Sequence, residues 1–406
     1  MDLHAGQTLT VFLSALEHSA DRHAAALIHA IRRQRPGTRF LGLAGPEMRK
    51  AGCQPVDDLT GRSAMLLGAL GIVGHAASLL RRVDRLFAAG AADIFVPVDS
   101  PTFNLPLARR AGARGLPVVY FIAPQVWAWA EFRIRKVRRR VNRLAVILPF
   151  EEEYFRHRGI DATYVGHPLV ESLSQRNTDA RAVNHFRHLG RPVVTCMPGS
   201  RSHVIEEVLP GQMEIARRIA EAHPEAVFLF AAANDDLAER IGRGLQGPAG
   251  RSPAFRYHVE TGHNGELIQA ADLVLVASGT ATLEVAYYRR PMIVMYNASK
   301  WGYRLIGRRL IRTKHLSLVN ILAASSLVPE FMPYYDSVEP IVRSALEILA
   351  DPARQARIAN GLDTLIRSLG THPVAERTAR IVLDALPSGG RRVSSRGPRG
   401  SRHQIW

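Results

Sequence analysis

Pro198-Gly199-Ser200-Arg201 follows the apolar run Val193 to Met197 and sets free backbone N–H groups beside a guanidinium. That combination suits a phosphate; a tight turn with a surface arginine fits it equally well. Ala277-Ser278-Gly279-Thr280 repeats the arrangement after Leu273 to Ala277, with small residues that admit a ligand to the backbone and a helix start that favours negative charge. Two such loops in one domain carry more weight than either alone. Glu284, on the first turns of that helix, can bind ribose hydroxyls, or it is simply an acid favoured by the helix dipole. Val98-Asp99-Ser100-Pro101-Thr102-Phe103-Asn104 ends another apolar run with an acid, a hydroxyl and an amide. There Asp99 is a candidate general base, with an Asx-turn or cap as the plain alternative. Glu17, Ser19 and Asp21 occupy the first strand-to-helix loop, where Ser19 also reads as a helix N-cap. Ala123-Pro124-Gln125-Val126-Trp127-Ala128-Trp129 carries two tryptophans past a strand, toward a cleft, a lipid interface or the core.

These loops need strands to carry them. Leu9 to Leu13, Thr38 to Leu43, Ile94 to Val98, Val118 to Ile122, Leu144 to Leu148 and Thr163 to Val165 read as strands alternating with helical patterns, the signature of a parallel sheet with crossover helices. After Gly166-His167-Pro168 and the polar stretch Ser174 to Ala182 the pattern restarts. Val193 to Met197, Val227 to Ala231, Leu273 to Ala277 and Met292 to Met295 are strands, with helices over Ile205 to Ala222, Asn264 to Ala271 and Thr282 to Arg289. Two tandem α/β units imply a cleft between them, with ligands at the carboxyl ends of the strands. A helix over Val374 to Leu386 precedes a Gly-, Ser- and Arg-rich tail with no apolar period.

Composition narrows the chemistry. Apolar residues make up 47% and charged residues 22% of 406, which excludes wholesale disorder and fibrous repeats. Lys plus Arg number 53 against 36 Asp plus Glu, and the net charge of +17 favours anionic partners: phosphorylated ligands, anionic lipid or nucleic acid. Basic faces run through Arg133, Arg135, Lys136, Arg138, Arg139, Arg140 and Arg143, and through Lys300, Arg304, Arg308, Arg309, Arg312 and Lys314. The second interleaves Trp301, Tyr303, Leu305, Leu310 and Ile311, as a membrane-surface helix would; a solvated face is the alternative for both. With no zinc-finger spacing, RNP-type sequence or KH-type glycine loop, nucleic acid is disfavoured. Cys53 and Cys196 are the only cysteines and no H-E-x-x-H, EF-hand loop or Asp-x-Asp occurs, so neither a disulfide framework nor a metal site is expected, and a reducing compartment fits. No signal peptide is expected at Met1 to Gln7. Ser63 to Leu80 is uncharged but diluted by Gly68, Gly71, Gly74 and His75, a buried or interface-dipping segment rather than a spanning helix.

From about Leu9 to about Met332 the chain resembles the lipid-A-disaccharide synthase family. The resemblance rests on Phe40 to Met48, Val98 to Asn104, Trp127-Ala128-Trp129, Gly166-His167-Pro168, Pro198 to Arg201, Ala277 to Glu284 and Ser317-Leu318-Val319-Asn320, in the family's order and spacing. It implies an α/β chain of GT-B fold, two Rossmann-like domains with a cleft between them and a C-terminal helix returning to the first. The implied division is 1–175 for an acceptor and membrane-contact domain and 176–370 for a UDP-sugar domain. A returning helix takes 371–386 and a disordered basic tail 387–406.

The implied reaction joins UDP-2,3-diacylglucosamine to 2,3-diacylglucosamine 1-phosphate, with inversion, giving a β(1→6) disaccharide and UDP without metal or cofactor. Carried over, Asp99 is the base. Glu17, Ser19, Asp21, Asn104, Trp127 and His167 are substrate-binding, and Gly199, Ser200, Arg201, Ser278, Gly279, Thr280, Glu284 and Asn320 bind UDP. The protein would sit in the cytoplasm against the anionic inner-membrane surface, with a homodimer left open and no nucleic acid.

Departures from the family pattern sit mainly in the first loop, Leu16-Glu17-His18-Ser19-Ala20-Asp21, where the family has Gly-Glu-x-Ser-Gly-Asp. Leu16 and Ala20 would tolerate positive φ poorly. Val204 stands where an acid is usual, Gly74 for a Glu and Ala130 for an Arg. Two alternatives follow: a divergent GT-B homologue with another glycolipid or peptidoglycan-type acceptor, and a non-catalytic anion-binding membrane-surface protein.

Overall fold

Apolar runs flanked by turn residues become the inner strands of two parallel sheets. The computed structural model describes residues 8–57, 69–129, 131–246, 253–297, 314–333 and 335–387. The chain forms two units: the first takes it up to Pro168 and again from His372, the second runs from Leu169 to Thr371.

In the first unit the strands are β1 (Thr10–Ala15), β2 (Arg39–Leu43), β3 (Gln54–Asp57), β4 (Ile94–Val98), β5 (Val119–Phe121), β6 (Arg143–Val146) and β7 (Asp161–Tyr164). They pair in the order β3-β2-β1-β4-β5-β6-β7, all parallel. Helices cover both faces, so the central strands are mostly apolar. Along β1, Val11, Leu13 and Ala15 enter one core layer, while Phe12 enters the other against Phe87 and Phe95, at ring separations of 5.1 and 5.9 Å. The helix Val374–Asp384 belongs to this unit. It buries Val374, Ala379 and Val382 in the first layer, pairs Glu376 with Arg33, and accepts a 3.0 Å bond from Gln34 at the Glu376 carbonyl.

The second unit carries β8 (Val193–Met197), β9 (Val227–Ala232), β10 (Arg256–Thr261), β11 (Leu273–Ala277), β12 (Met292–Met295) and β13 (Glu330–Phe331), in the order β10-β9-β8-β11-β12-β13. Both sheets therefore reverse direction once, between β1 and β4 and between β8 and β11. At such a reversal neighbouring loops diverge and leave a crevice at the carboxyl ends of the strands.

Three expectations fall on undescribed residues. The basic run from Lys300 lies outside the described residues except at Lys314, as does the tail from residue 388, and so do residues 63–68 of the uncharged stretch. The remainder of that stretch opens the helix Ala69–Ala88, in which Leu79, Val83 and Phe87 face the core. Among the described residues no helix is long and apolar enough to cross a membrane, and no three or more His, Cys, Asp or Glu side chains group as a metal site.

Candidate functional site

In the first unit the chemistry gathers where β1 and β4 part. β4 ends at Val98, and the next two residues take left-handed backbone conformations, φ 51° at Asp99 and 47° at Ser100. Non-glycine residues pay for that geometry, and here it is held by named bonds. The Asp99 carbonyl accepts from the Tyr120 phenol at 2.6 Å and from the Asn104 amide at 2.7 Å. Asn104 also donates to the Val98 carbonyl at 3.2 Å and accepts from the Ser14 hydroxyl at 2.7 Å. The main chain is thus clamped while the Asp99 carboxylate stays half-buried. Burial raises its pKa above the usual aspartate value; a bond from the Ser100 N–H opposes the rise, and the charge of Glu17 adds to it. Beside it the buried Ser100 hydroxyl has no hydrogen-bond partner among the described residues.

Glu17 and Ser19 are exposed, and Ser19 is not the N-cap: Glu17 precedes the helix His18–Gln34 and Ser19 lies in its first turn. Ala20 is helical and fully packed, and Leu16 is absent from the positive-φ residues. The loss of the two glycines therefore introduces no left-handed strain. Asp21 takes up a structural contact. It is 2% exposed, and its two oxygens accept the Glu47 and Met48 N–H groups at 2.8 and 3.1 Å, capping the helix Pro46–Lys50. A Cβ at Gly45 would collide with that carboxylate. Asn104 is wholly buried in the clamp on the Asp99 carbonyl.

Trp127 is half-buried; its indole N–H donates to Glu151 at 2.9 Å and its ring meets Phe150 edge-on. Burial pushes Glu151 up to about 7, against the pull of Trp127 and backbone N–H donors. His167 is 4% exposed, and burial followed by repulsion from His23 brings it down to about 4, so it is a neutral interior ring.

In the second unit the two phosphate-type loops leave neighbouring strands, β8 and β11, at the reversal. Gly199 has φ 127°, and a Cβ there would lie 2.6 Å from Val204 Cγ1. Val204, the departure from the usual acid, thus packs beneath the loop. Ser200 and Arg201 are exposed; Arg201 precedes the helix Ser202–Ala222, and its side chain makes no capping bond. Gly279 and Thr280 are exposed and Ser278 half-buried before the helix Ala281–Tyr287. Glu284 lies mostly buried, 3.6 Å from the Arg176 guanidinium, which also approaches Glu266 at 3.7 Å. Burial raises the Glu284 pKa and Arg176 pulls it back.

Asn320 is wholly buried, donating to the Val328 carbonyl at 2.9 Å and Glu330 at 3.0 Å and accepting from the Val328 N–H at 3.0 Å, bonds that brace the second unit internally. Burial works to raise Glu330, yet Ser317, Leu316 and Asn320 donate to it and hold its pKa below the usual value. Because the folded pKa is depressed, this support is present above the unfolded pKa and is lost as pH falls through the folded one. Asn320→Ala is expected to lower stability by about 2 kcal/mol, since it orphans buried groups. A urea midpoint checks this, and UDP affinity of the folded variant should stay within about twofold if the role is structural.

Tyr120, Ser14, His23 and Glu151 were not expected. Tyr120 sits inside an apolar strand, where nothing marks its hydroxyl, and Glu151 follows Pro149 as an ordinary first-turn acid.

A sequence profile of the lipid-A-disaccharide synthetase family matches residues 11–383. The chain belongs to that family. Lipid-A-disaccharide synthases from Geobacter sulfurreducens and Syntrophus aciditrophicus are 32% and 35% identical to it, each alignment covering 93% of this chain and 97% of the relative. Among solved structures it is similar to the S. aureus MnaA–UDP complex, with TM-score 0.59 and 9% identity over 93% of this chain and 95% of that one. Acinetobacter baumannii MurG gives TM-score 0.54 and 11% identity over 93% and 100%. At those identities the likeness shows the fold, the GT-B architecture of two Rossmann-like units. Membership in the lipid-A-disaccharide synthetase family makes the chain a glycosyltransferase of lipid A disaccharide synthesis, with a UDP-sugar donor and a lipid-linked acceptor.

Proposed function

We propose that the chain condenses UDP-2,3-diacylglucosamine with 2,3-diacylglucosamine 1-phosphate at the anionic face of the inner membrane, and that Asp99 is the general base. The acceptor 6-hydroxyl gives its proton to the Asp99 carboxylate as its oxygen bonds to C1 of the donor. The C1–oxygen bond to UDP breaks, UDP leaves with the electron pair, and inversion yields the β(1→6) linkage. Charge developing on the diphosphate is met by Arg201 and by the backbone N–H groups of the Gly199-Ser200 and Ser278-Gly279-Thr280 loops. Glu284 takes the ribose hydroxyls, and Glu17 and Ser19 face the acceptor.

One observation carries this reading: an aspartate at a sheet reversal, its main chain pinned left-handed by Tyr120 and Asn104 and its carboxylate half-buried. A base must be aimed as well as basic, and the clamp supplies the aim. The test is UDP release from purified protein given both acylated sugars. No release, or faster release with a peptidoglycan-type acceptor, would overturn it.

Tyr120→Phe removes the 2.6 Å bond to the Asp99 carbonyl and leaves the packed ring. Its kcat is expected to fall about tenfold with both KM values nearly unchanged, because orientation and not binding is lost. Steady-state kinetics separate the two parameters.

A further inference from the structure

The segment Glu131–Arg140 takes no part in the reaction above, yet it gathers three features in one place. An open surface pocket of about 280 Å³ is lined by Ile134, Arg135, Arg138 and Arg158. Arg158 is set in position: its guanidinium lies 3.8 Å from the Tyr154 ring centroid, donates to the Tyr154 carbonyl at 3.0 Å and pairs with Glu131 at 2.9 Å. Arg135 and Arg138 are exposed and have no carboxylate partner among the described residues, and the same holds for Lys136 and Arg139 on that helix. Like charges three residues apart on a helix repel, so this face is uncompensated until an anion arrives. The third feature is Phe132 at the start of the segment, 64% exposed, the large apolar side chain left in solvent among the described residues. Val137 alone of the helix turns fully inward, which keeps the cationic face outward.

A free phosphate accounts for the arginines but not for the phenylalanine. A phosphate carried on acyl chains accounts for both, because an aromatic ring beside basic side chains is the pattern of an interfacial contact. We propose that the Arg135–Arg138–Arg158 pocket holds the phosphate of an anionic phospholipid while Phe132 enters the adjoining apolar layer, docking the first unit on a bilayer. This deepens the reading of a membrane-surface enzyme and rests on it.

The test is flotation of the full chain with vesicles of phosphatidylglycerol in phosphatidylcholine, against phosphatidylcholine alone. Wild type binds the anionic vesicles, and added salt weakens the binding. Arg135→Glu with Arg138→Glu is expected to lower partitioning at least about 25-fold, at about fivefold per basic residue lost. Phe132→Ser lowers it further, and turnover of detergent-dispersed substrates is unchanged in both. Arg181→Glu with Arg343→Glu, two exposed residues of the second unit, alters net charge equally and should bind nearly as wild type does.

Equal losses in both double variants, or no loss in the first, would overturn the proposed site. Saturable binding of inorganic phosphate that depends on Arg138, without vesicle binding, would also overturn it. Turnover by a wild type that floats with no vesicle rejects the docking surface and leaves the reaction standing. Vesicle binding without turnover rejects the reaction and leaves the surface.

Discussion

Asp99→Asn should cut turnover about a thousandfold and leave nucleotide binding alone. The change is nearly isosteric, and the Tyr120 and Asn104 bonds go to the main-chain carbonyl, so the clamp survives it. What disappears is the carboxylate that receives the acceptor proton. General-base removal costs about 10² to 10⁴ in rate; a loss of about 10³, or about 4 kcal/mol of transition-state stabilisation, is expected here. UDP affinity, measured by calorimetry, should change less than about twofold, because the loops proposed to hold the nucleotide belong to the second unit. A wild-type kcat in this variant would remove Asp99 from the chemistry. A parallel collapse of UDP binding and stability would show that Asp99 is structural.

Arg201→Ala should do the reverse. Its side chain caps nothing, makes no ion pair among the described residues and lies beside a glycine loop of positive φ at the β8–β11 reversal. Hydrogen bonds to a charged partner contribute about 1.5 to 3 kcal/mol, so UDP affinity should fall about 30-fold with the thermal midpoint almost unmoved. Arg201→Lys restores the charge but not the two-pronged donor geometry, and only partial recovery is expected. Equal UDP affinity in wild type and Arg201→Ala would mean that the diphosphate is held elsewhere.

The inner strands were legible because burial on both faces demands continuous apolar runs, as in Val193–Met197 and Leu273–Ala277. The strands not foreseen, β3, β10 and β13, all lie at sheet edges. Arg256–Thr261 mixes Arg, His, Glu and Thr with partly exposed positions, and Glu330–Phe331 is too short to show a period. At the site, Asp99 and Arg201 stood out as polar residues directly beyond apolar strands. Asp21, Asn104 and Asn320 were expected to be ligands for the same reason; all three are buried and hydrogen-bonded to internal polar groups. The residue types that bind a ligand also brace a loop, and spacing does not tell the two apart. Tyr120 shows the converse, a hydroxyl that clamps Asp99 but lies concealed in an apolar strand. The first-loop departures proved structurally mild, because Ala20 is a helical position and not a left-handed one.

The most direct test of Asp99 as base is the pH dependence of kcat/KM for the acceptor, in wild type and in Asp99→Asn. A protonated carboxylic acid accepts no proton, so wild-type kcat/KM should fall as pH drops through the Asp99 pKa. Burial and Glu17 place that limb above the usual aspartate range. The residual activity of Asp99→Asn should lack the limb. An identical acid limb in both proteins would contradict the assignment.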